Sequence, residues 1–375
     1  MRITGVETIV VNPPIRHAGR LGVGRFDYAE SVIVRLSTDA GIEGVGEASL
    51  WAPFSDNAHA VKATIDRHLA PVLLGRSPFD AEAVAAALDR AHHGATSAKA
   101  ALDMACLDAA GKALDRPVHT LLGGLVRDRV NLSYSIANQD VERDLEEIRW
   151  LLDQGFKVLK IKTGVLDERA EIERVAAIRE LVGADYDLRV DFNQGGRPET
   201  ALRRCRRLEA FGPTFIEQPL PGWDLRGMAA LAAALDTPVS ADESVMSLQD
   251  GASVVQCRAA DLISVKLMKL GGIVAAKKLA GLCEAAGVAC YAGAMWESGI
   301  GVAASLHFAC SSPAVRYGSD FYTCGYLLAD DLVREPPRVE DGDILVPRGP
   351  GLGVEVDWDA VDRYRATGWA GAYYG

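Results

Sequence analysis

The chain of 375 residues is 49% hydrophobic and 24% charged, which is the composition of an ordinary soluble globular protein. Its 40 Lys and Arg residues stand against 51 Asp and Glu residues, and the formal net charge of −11 argues against nucleic acid as a partner. No apolar run approaches the roughly 18 residues that cross a membrane, and the start of the chain lacks the apolar core of a signal peptide. The seven cysteines never form a C-x-x-C motif, so we expect reduced thiols in a cytoplasmic protein.

Residues 1–125 predict a small α+β domain. Residues 32–37 and the return segment from Val45 have the pattern of antiparallel strands joined by a glycine-containing turn. Residues 81–92 and 98–114 then carry apolar side chains at intervals of three and four, which predicts helices.

From Val130 onward, strand and helix patterns alternate. The apolar strand segments are 158–162, 188–191, 214–217, 238–242, 262–266, 288–293 and 315–318. Alternation at this period predicts a parallel α/β sheet, and this many units favours closure into a barrel. The tail returns to short strand-like pieces, so we expect a barrel domain over 126–325 and a segment over 326–375 that packs against the first domain.

Polar residues close successive strands of this pattern at regular intervals. Lys162, Asp191, Glu217, Asp242 and Lys266 are separated by 29, 26, 25 and 24 residues. One strand, loop and helix take about that many residues, and in a parallel barrel all such strand ends open on one face. The spacing therefore predicts that three carboxylates and at least two lysines converge.

These residue types suit a metal beside amine bases. Asp191, Glu217 and Asp242 are hard oxygen ligands for Mg²⁺ or Mn²⁺, although any one of them alone could cap a helix. Lys160 and Lys162 are two residues apart and point to the same side of their strand. In a barrel interior, repulsion and desolvation would lower their pKa values and let one act as a base. The alternative is an exposed strand edge with two solvated lysines.

Other side chains near these strand ends are further candidates. Lys266 would approach a bound substrate from the side opposite Lys162, whereas Lys269 is expected to be solvated in a loop. Asn193 would face the same way as Asp191 and bond a ligand or water, and Glu243 would lie behind the ligands. A metal flanked by two amines can bind a substrate carboxylate while a lysine moves the proton on the adjacent carbon.

The arrangement resembles the enolase superfamily and, within it, the muconate lactonizing enzyme subgroup; such sites combine Lys or His bases with Mg²⁺. The motifs that carry the resemblance are Lys160-Ile-Lys162, Val190-Asp191-Phe-Asn193, Ile216-Glu217-Gln-Pro, Ala241-Asp242-Glu-Ser and Val265-Lys266-Leu-Met-Lys-Leu-Gly-Gly. Each motif alone is weak, but in this order and spacing they are specific. The resemblance covers essentially the whole chain.

This resemblance implies an N-terminal capping domain over a (β/α)₇β modified TIM barrel. It also implies a divalent metal, a small carboxylate substrate and a homo-oligomer. By position, Lys162 resembles the acid/base of the second strand, Lys160 its electrostatic partner and Lys266 the opposing acid/base. The residues that resemble the metal ligands are Asp191, Glu217 and Asp242.

Substrate specificity in such proteins comes from two cap loops, here about 16–26 and 50–56. These loops would bring five side chains near the site, and any of them could instead line the domain interface. They are Arg16, His17, Arg20, Trp51 and Phe54.

The end of the barrel departs from the family pattern. Asp320 stands where muconate cycloisomerases usually have Glu, and the run Asp320-Phe-Tyr322 lacks the Asp-x-Asp of dipeptide epimerases. Glu297, in Met295-Trp-Glu297-Ser, is either a substrate contact or a carboxylate that anchors its loop.

Overall similarity favours an isomerase that converts a muconate-type diacid to its lactone, with Lys162 protonating the enolate. An N-acylamino acid racemase or dipeptide epimerase is the main alternative, because paired lysines serve racemisation equally well. Dehydration of a hydroxy acid is the third reading. A non-catalytic binding protein of the same fold is disfavoured, since it would not need the complete set of ligand and base residues.

Overall fold

The described part of the computed structural model covers residues 1–21, 24–51, 57–321 and 325–366, with only the backbone for 17–21 and 24–26. The side chains of His17 and Arg20 and the whole of Phe54 lie outside it. Among the described residues, no helix is long and apolar enough to cross a membrane.

Antiparallel strands and a layer of helices form the N-terminal region. β1 (Ile3–Val11), β4 (Glu30–Thr38) and β5 (Glu43–Leu50) make one sheet in that order, and β2 (Pro14–Leu21) pairs with β3 (Gly24–Tyr28). The helices that follow are α1 (Ala58–Thr64), a π-helical turn (Ile65–Leu69), α2 (Ala70–Leu73), α3 (Ala81–Ala91), α4 (Thr96–Ala113) and α5 (Val118–Leu121).

Helix α4 is buried along residues 97–111 and packs directly on β5. Two glycines of the strand allow the two backbones to approach closely. A Cβ atom on Gly46 would lie 1.9 Å from the carbonyl oxygen of Ala101, and one on Gly44 would lie 2.0 Å from that of Ala105. Any larger residue at these positions would push the helix off the sheet.

A parallel barrel follows, and the predicted (β/α)₇β architecture with an α+β capping domain is confirmed. Its strands are β7 (Ser133–Ile136), β8 (Val158–Lys162), β9 (Asp187–Asp191), β10 (Ile216–Glu217), β11 (Val239–Ala241), β12 (Leu262–Val265), β13 (Ala289–Ala292) and β14 (Val315–Ser319). Its helices are α6 (Val141–Asp153), α7 (Glu168–Val182), α8 (Pro198–Glu209), α9 (Leu225–Ala234), α10 (Leu248–Cys257), α11 (Leu267–Leu270), α12 (Ile273–Ala286) and α13 (Gly299–Cys310). A parallel bridge between Leu132 and Ser319 joins the two edges and closes the sheet.

The C-terminal segment returns to the N-terminal region. β15 (Val339–Glu340) and β16 (Asp343–Leu345) pair with β6 (Arg129–Asn131), and α14 (Trp358–Arg363) follows. The amide of Ala366 then donates to the carbonyl of Val10 on β1.

Buried carboxylates of the N-terminal region accept hydrogen bonds from the first turns of barrel helices. Glu47 on β5 accepts from the amides of Ser298 (3.1 Å) and Gly301 (3.0 Å) at the start of α13. Asp103 on α4 accepts from the amide of Ile273 at the start of α12 (2.6 Å). The positive end of a helix stabilises a carboxylate at this position, so these contacts hold the cap on the barrel.

A buried histidine on α13 marks the same interface. His307 Nδ1 accepts from the amide of His119 (3.2 Å), and Nε2 donates to the carbonyl of Leu352 (3.0 Å). An amide can only donate and a carbonyl can only accept, so these two bonds require neutral imidazole with its proton on Nε2. Burial accordingly lowers the pKa of His307 to about 4.

This histidine should make the protein sensitive to mild acid. The folded state keeps His307 neutral while the unfolded chain binds a proton below its ordinary pKa, so stability falls as the pH drops from about 6.5 towards 4. We expect a loss of about 2 kcal/mol from this residue by pH 5, measured by urea unfolding. His307→Gln should remove that component, and exposed His93→Gln should not. Equal pH dependence in the wild type and His307→Gln would contradict the assignment.

Candidate active site at the mouth of the barrel

The five regularly spaced polar residues meet at the carboxyl ends of the barrel strands. Lys162, Asp191 and Glu217 are the last residues of β8, β9 and β10, and they are direct neighbours in the strand register. Asp242 and Lys266 come directly after β11 and β12, and the Lys266 ammonium lies 2.8 Å from Asp242. The carboxylates are close enough for Asp191 and Asp242 to raise the pKa of Glu217.

Lys160 is the most enclosed of the lysines, with 2% of its side chain exposed. Its Nζ donates to Asp320 (2.5 Å), Glu217 (3.1 Å) and the hydroxyl of Tyr291 (3.2 Å), and lies 3.6 Å from Asp191. Burial by itself lowers the pKa of Lys160, but the carboxylates outweigh it and hold that pKa well above its ordinary value. The prediction of a lowered pKa is therefore wrong for Lys160, because carboxylates surround its ammonium on three sides.

Lys162 is the lysine of this strand that reaches the solvent side of the mouth, with 21% of its side chain exposed. Its Nζ donates to Asp191 Oδ2 (2.6 Å) and to Asn193 Oδ1 (2.8 Å). Asn193 has a φ of +40° and its side-chain amide also donates to Glu243 (3.2 Å). The alternative of two solvated lysines on an exposed edge is wrong, since one is buried and the other is held by two acceptors.

Across the mouth, two lysines hold Asp242. Lys266 contacts Oδ2, and Lys269 contacts Oδ1 (2.5 Å), the carbonyl of Asp242 (2.7 Å) and that of Ser264 (3.0 Å). Burial raises the pKa of Asp242, but the two ammonium groups outweigh it and bring that pKa well below its usual value. The expectation of a solvated Lys269 is wrong, because α11 turns back over the strand end and buries it.

The residues Asp191, Glu217 and Asp242 fit a divalent cation, although no group of three or more His, Cys, Asp or Glu residues in the described chain is already arranged as a metal site. Lysines neutralise Asp191 and Asp242 instead. Glu217 Oε1, in contrast, is buried without a hydrogen-bond partner among the described residues, and burial raises the pKa of Glu217 to about 7. A hard cation would satisfy this oxygen and relieve the repulsion among the three carboxylates.

The predicted substrate contacts lie around this mouth in different ways. Asp320 is buried and uses both oxygens within the protein, one for Lys160 and one for the amide of Ala294 (3.0 Å). Trp51 is half-buried and its ring lies 6.2 Å from that of Trp296. Arg16 is exposed, and its guanidinium lies over the ring of Trp150, 4.8 Å from the ring centroid. Glu297, the residue after Trp296, is buried.

Sequence reasoning assigned no role to two side chains of this region. Tyr291 on β13 bonds Lys160, and Glu47 on β5 reaches the segment after β13. A charged residue inside the apolar alternation Gly44-Val-Gly-Glu47-Ala is a signal that could have pointed to Glu47.

Known proteins resemble this chain along nearly all of its length. Residues 3–123 match the family described as mandelate racemase / muconate lactonizing enzyme, N-terminal domain, and residues 143–360 match the family described as enolase C-terminal domain-like. Muconate cycloisomerase 1 of Rhodococcus opacus is 34% identical over 367 residues, covering 96% of this chain and 98% of the relative. L-Ala-D/L-Glu epimerase of Bacillus subtilis is 36% identical over 358 residues, covering 94% and 97%. The crystal structure of muconate lactonizing enzyme from Pseudomonas fluorescens complexed with muconolactone superposes with a TM-score of 0.94 at 33% identity, covering 97% and 99%.

Replacing the buried lysine should be costly for stability. Lys160→Met should lower the free energy of unfolding by about 3–5 kcal/mol, because it leaves buried carboxylates without their cation. Adding Asp320→Asn should return about 0.5–3 kcal/mol of that loss, since the two groups are in contact. Urea unfolding in the presence of chelator measures both, with exposed Lys157→Met just before the same strand as the matched control. A Lys160→Met protein as stable as this control would contradict the ion-pair network.

Proposed function

The chain belongs to the mandelate racemase / muconate lactonizing enzyme family of the enolase superfamily. We propose that it is a divalent-metal-dependent cycloisomerase that lactonises a muconate-type dicarboxylate. The observation that carries the proposal is the position of two lysines around the carboxylates. Lys162 ends β8 and Lys266 follows β12, and these strands are four apart in a closed barrel of eight. The two ammonium groups therefore lie on opposite sides of the mouth, one on each side of a substrate bound there.

In this proposal Asp191, Glu217 and Asp242 hold Mg²⁺ or Mn²⁺. When bound, the cation would supply the positive charge that binds one substrate carboxylate and balances the charge that develops on it. Lys269 keeps the Asp242 carboxylate in place by a hydrogen bond to Oδ1. Lys160 adds a fixed positive charge beside Glu217.

The protein's own side chains would guide the addition and the proton transfer. The far carboxylate of the diacid adds to the conjugated double bond, forming the ring C–O bond and moving an electron pair towards the near carboxylate. Lys162 then delivers its proton to the carbon beside the near carboxylate. Asp191 and Asn193 accept hydrogen bonds from the Lys162 ammonium, so its direction is restricted.

The alternative of a racemase or epimerase uses the same lysines, and the B. subtilis epimerase is as similar in sequence as the cycloisomerases. One contact favours lactonisation over a dipeptide substrate. Asp320 is engaged by Lys160 and by the Ala294 amide, so it is not available to bind a substrate ammonium. The second Asp of the epimerase motif is replaced by Tyr322.

The proposal extends to a homo-oligomer in the cytoplasm. Reduced thiols are typical of cytoplasmic proteins, and the six described cysteines are unpaired. Trp223 is 79% exposed, and it is the side chain that we expect at a subunit contact.

A paired assay separates the two functions. With Mg²⁺ or Mn²⁺ present, the protein should remove the absorbance of cis,cis-muconate, and chelator-treated protein should not. In D₂O the same preparation should leave the α-proton of an N-succinyl amino acid unexchanged, as followed by proton NMR. Persistent muconate absorbance together with exchange of the α-proton would instead establish the racemase.

Lys162→Ala should stop turnover without loss of the fold or of metal binding. General acid catalysis contributes about 10²–10⁴-fold to rate, so kcat should fall by at least that range. Calorimetric titration with Mn²⁺ checks that the carboxylates still bind the cation. Lys157→Ala, at the exposed position just before the same strand, is the control, and near-normal kcat in Lys162→Ala would rule out the role of Lys162.

A further inference from the structure

Within the described residues, a buried carboxyl in the segment that joins β13 to α13 makes no hydrogen bond of good geometry. Glu297 is 1% exposed, and the amides of Met295 and of Glu297 itself lie near its oxygens without meeting hydrogen-bond geometry. Burying a polar group without a hydrogen bond costs about 1–3 kcal/mol, so such a group calls for a physical explanation.

Glu47 of the cap accepts hydrogen bonds from the donors at the start of α13. It accepts from the amide and hydroxyl of Ser298, the amide of Gly301 and the hydroxyl of Ser31. The two carboxyl groups share one side of the helix start. A Cβ atom on Gly301 would lie 2.6 Å from Glu297 Cγ and 3.0 Å from Glu47 Oε2.

Burial raises the pKa of both neighbours, but Glu47 accepts hydrogen bonds from Ser298, Ser31 and Gly301 that oppose the rise of its own pKa. Burial raises the pKa of Glu297 to about 8, and the charge of Glu47 acts in the same direction. The backbone amides of Met295 and Glu297 and the charge of Lys266 oppose this shift without reversing it. At neutral pH Glu297 is therefore mainly a carboxylic acid, which has one O–H donor.

The segment that carries Glu297 lies beside Lys266 and is held at several points. A Cβ atom on Gly293 would lie 3.0 Å from Lys266 Cε, so the segment begins against the stem of that lysine. The amide of Ala294 donates to Asp320, and the amide of Trp296 donates to the hydroxyl of Ser49 on β5 (3.2 Å). These contacts fix the backbone on both sides of Glu297, and Lys266 is close enough for its charge to act on the Glu297 carboxyl.

We propose that Glu297 is a substrate-contacting hydrogen-bond donor, whose O–H donates to an oxygen of the dicarboxylate on the Lys266 side of the site. This inference rests on the proposed function. It specifies the substrate group that Glu297 would contact: an oxygen acceptor, such as the carboxylate that is not bound to the cation or the lactone oxygen formed from it. Ionised Glu297 would repel that group. The contact therefore selects an acidic substrate.

Two substitutions test this donor. Glu297→Gln keeps the size and an N–H donor, so kcat/KM for cis,cis-muconate should stay within about threefold of the wild type. Glu297→Met removes the donor and should lower kcat/KM about 10- to 100-fold, mainly by raising KM. Glu335→Met, at an exposed position, is the matched control. Wild-type kcat/KM in a folded Glu297→Met protein overturns the proposal, and so does a Gln variant as impaired as the Met variant.

The pH profile gives a readout that a structural role would not move. The titratable groups packed around the segment are Glu47 on β5, Lys266 after β12, Asp320 after β14 and Asp331, which accepts from the amide of Gly299 (2.8 Å). All of them remain in Glu297→Gln. Wild-type kcat/KM should fall above about pH 8 as Glu297 ionises, and the Gln variant should lack this fall. Identical alkaline limbs overturn the proposal.

An infrared measurement separates this inference from the proposed function. At pH 7 the difference spectrum of wild type minus Glu297→Gln should contain the C=O band of a protonated carboxylic acid, and its absence overturns the inference even if muconate turns over. A wild type that does not convert muconate refutes the proposed function alone. The inference is then decided by adding the N-succinyl amino acid: a shifted band supports the donor, and an unshifted band overturns it.

Discussion

Charges that leave water must find partners, and the mouth of this barrel follows from that constraint. Strand ends bring buried lysines and carboxylates within bonding distance of one another. They are Lys160, Lys266, Lys269, Asp191, Glu217, Asp242 and Asp320. The ion pairs among them hold the pKa values of Lys160 and Lys266 above the ordinary lysine value and restrict the direction of each side chain. Among the described residues Glu217 Oε1 is buried without a hydrogen-bond partner, and a cation bound there would satisfy it.

The cap contributes to this site by holding one segment of its rim. Glu47 and Ser49 on β5 bind the backbone between β13 and α13, and Trp51 at the end of that strand approaches Trp296. Gly44 and Gly46 allow β5 to pack closely on α4. The position of the segment between β13 and α13 therefore depends on this packing inside the cap. Glu47 uses the donors at the start of α13, and among the described residues no such donor is left for Glu297, whose pKa burial raises.

Much of the site could be predicted because it repeats along the chain. The period of one strand and one helix is visible in the apolar pattern, and a parallel barrel turns that period into convergence at one face. The errors came from interactions between residues far apart in sequence. Lys160 has no carboxylate near it along the chain, yet Glu217 and Asp320 surround it in space and reverse the expected direction of its pKa shift. Lys269 was expected in solvent because nothing in its neighbours indicates that α11 turns back towards Asp242.

The amino-acid sequence by itself determined the fold class, the order of the strands and the set of residues at their ends, since these depend on local periodicity and residue type. The tertiary structure alone decided how those residues share their charges. It assigned Asp320 to Lys160, two lysines to Asp242 and the helix-start donors to Glu47, because each pairing joins elements that only folding brings into contact. Protonation and direction follow from such contacts, and no spacing along a chain encodes them.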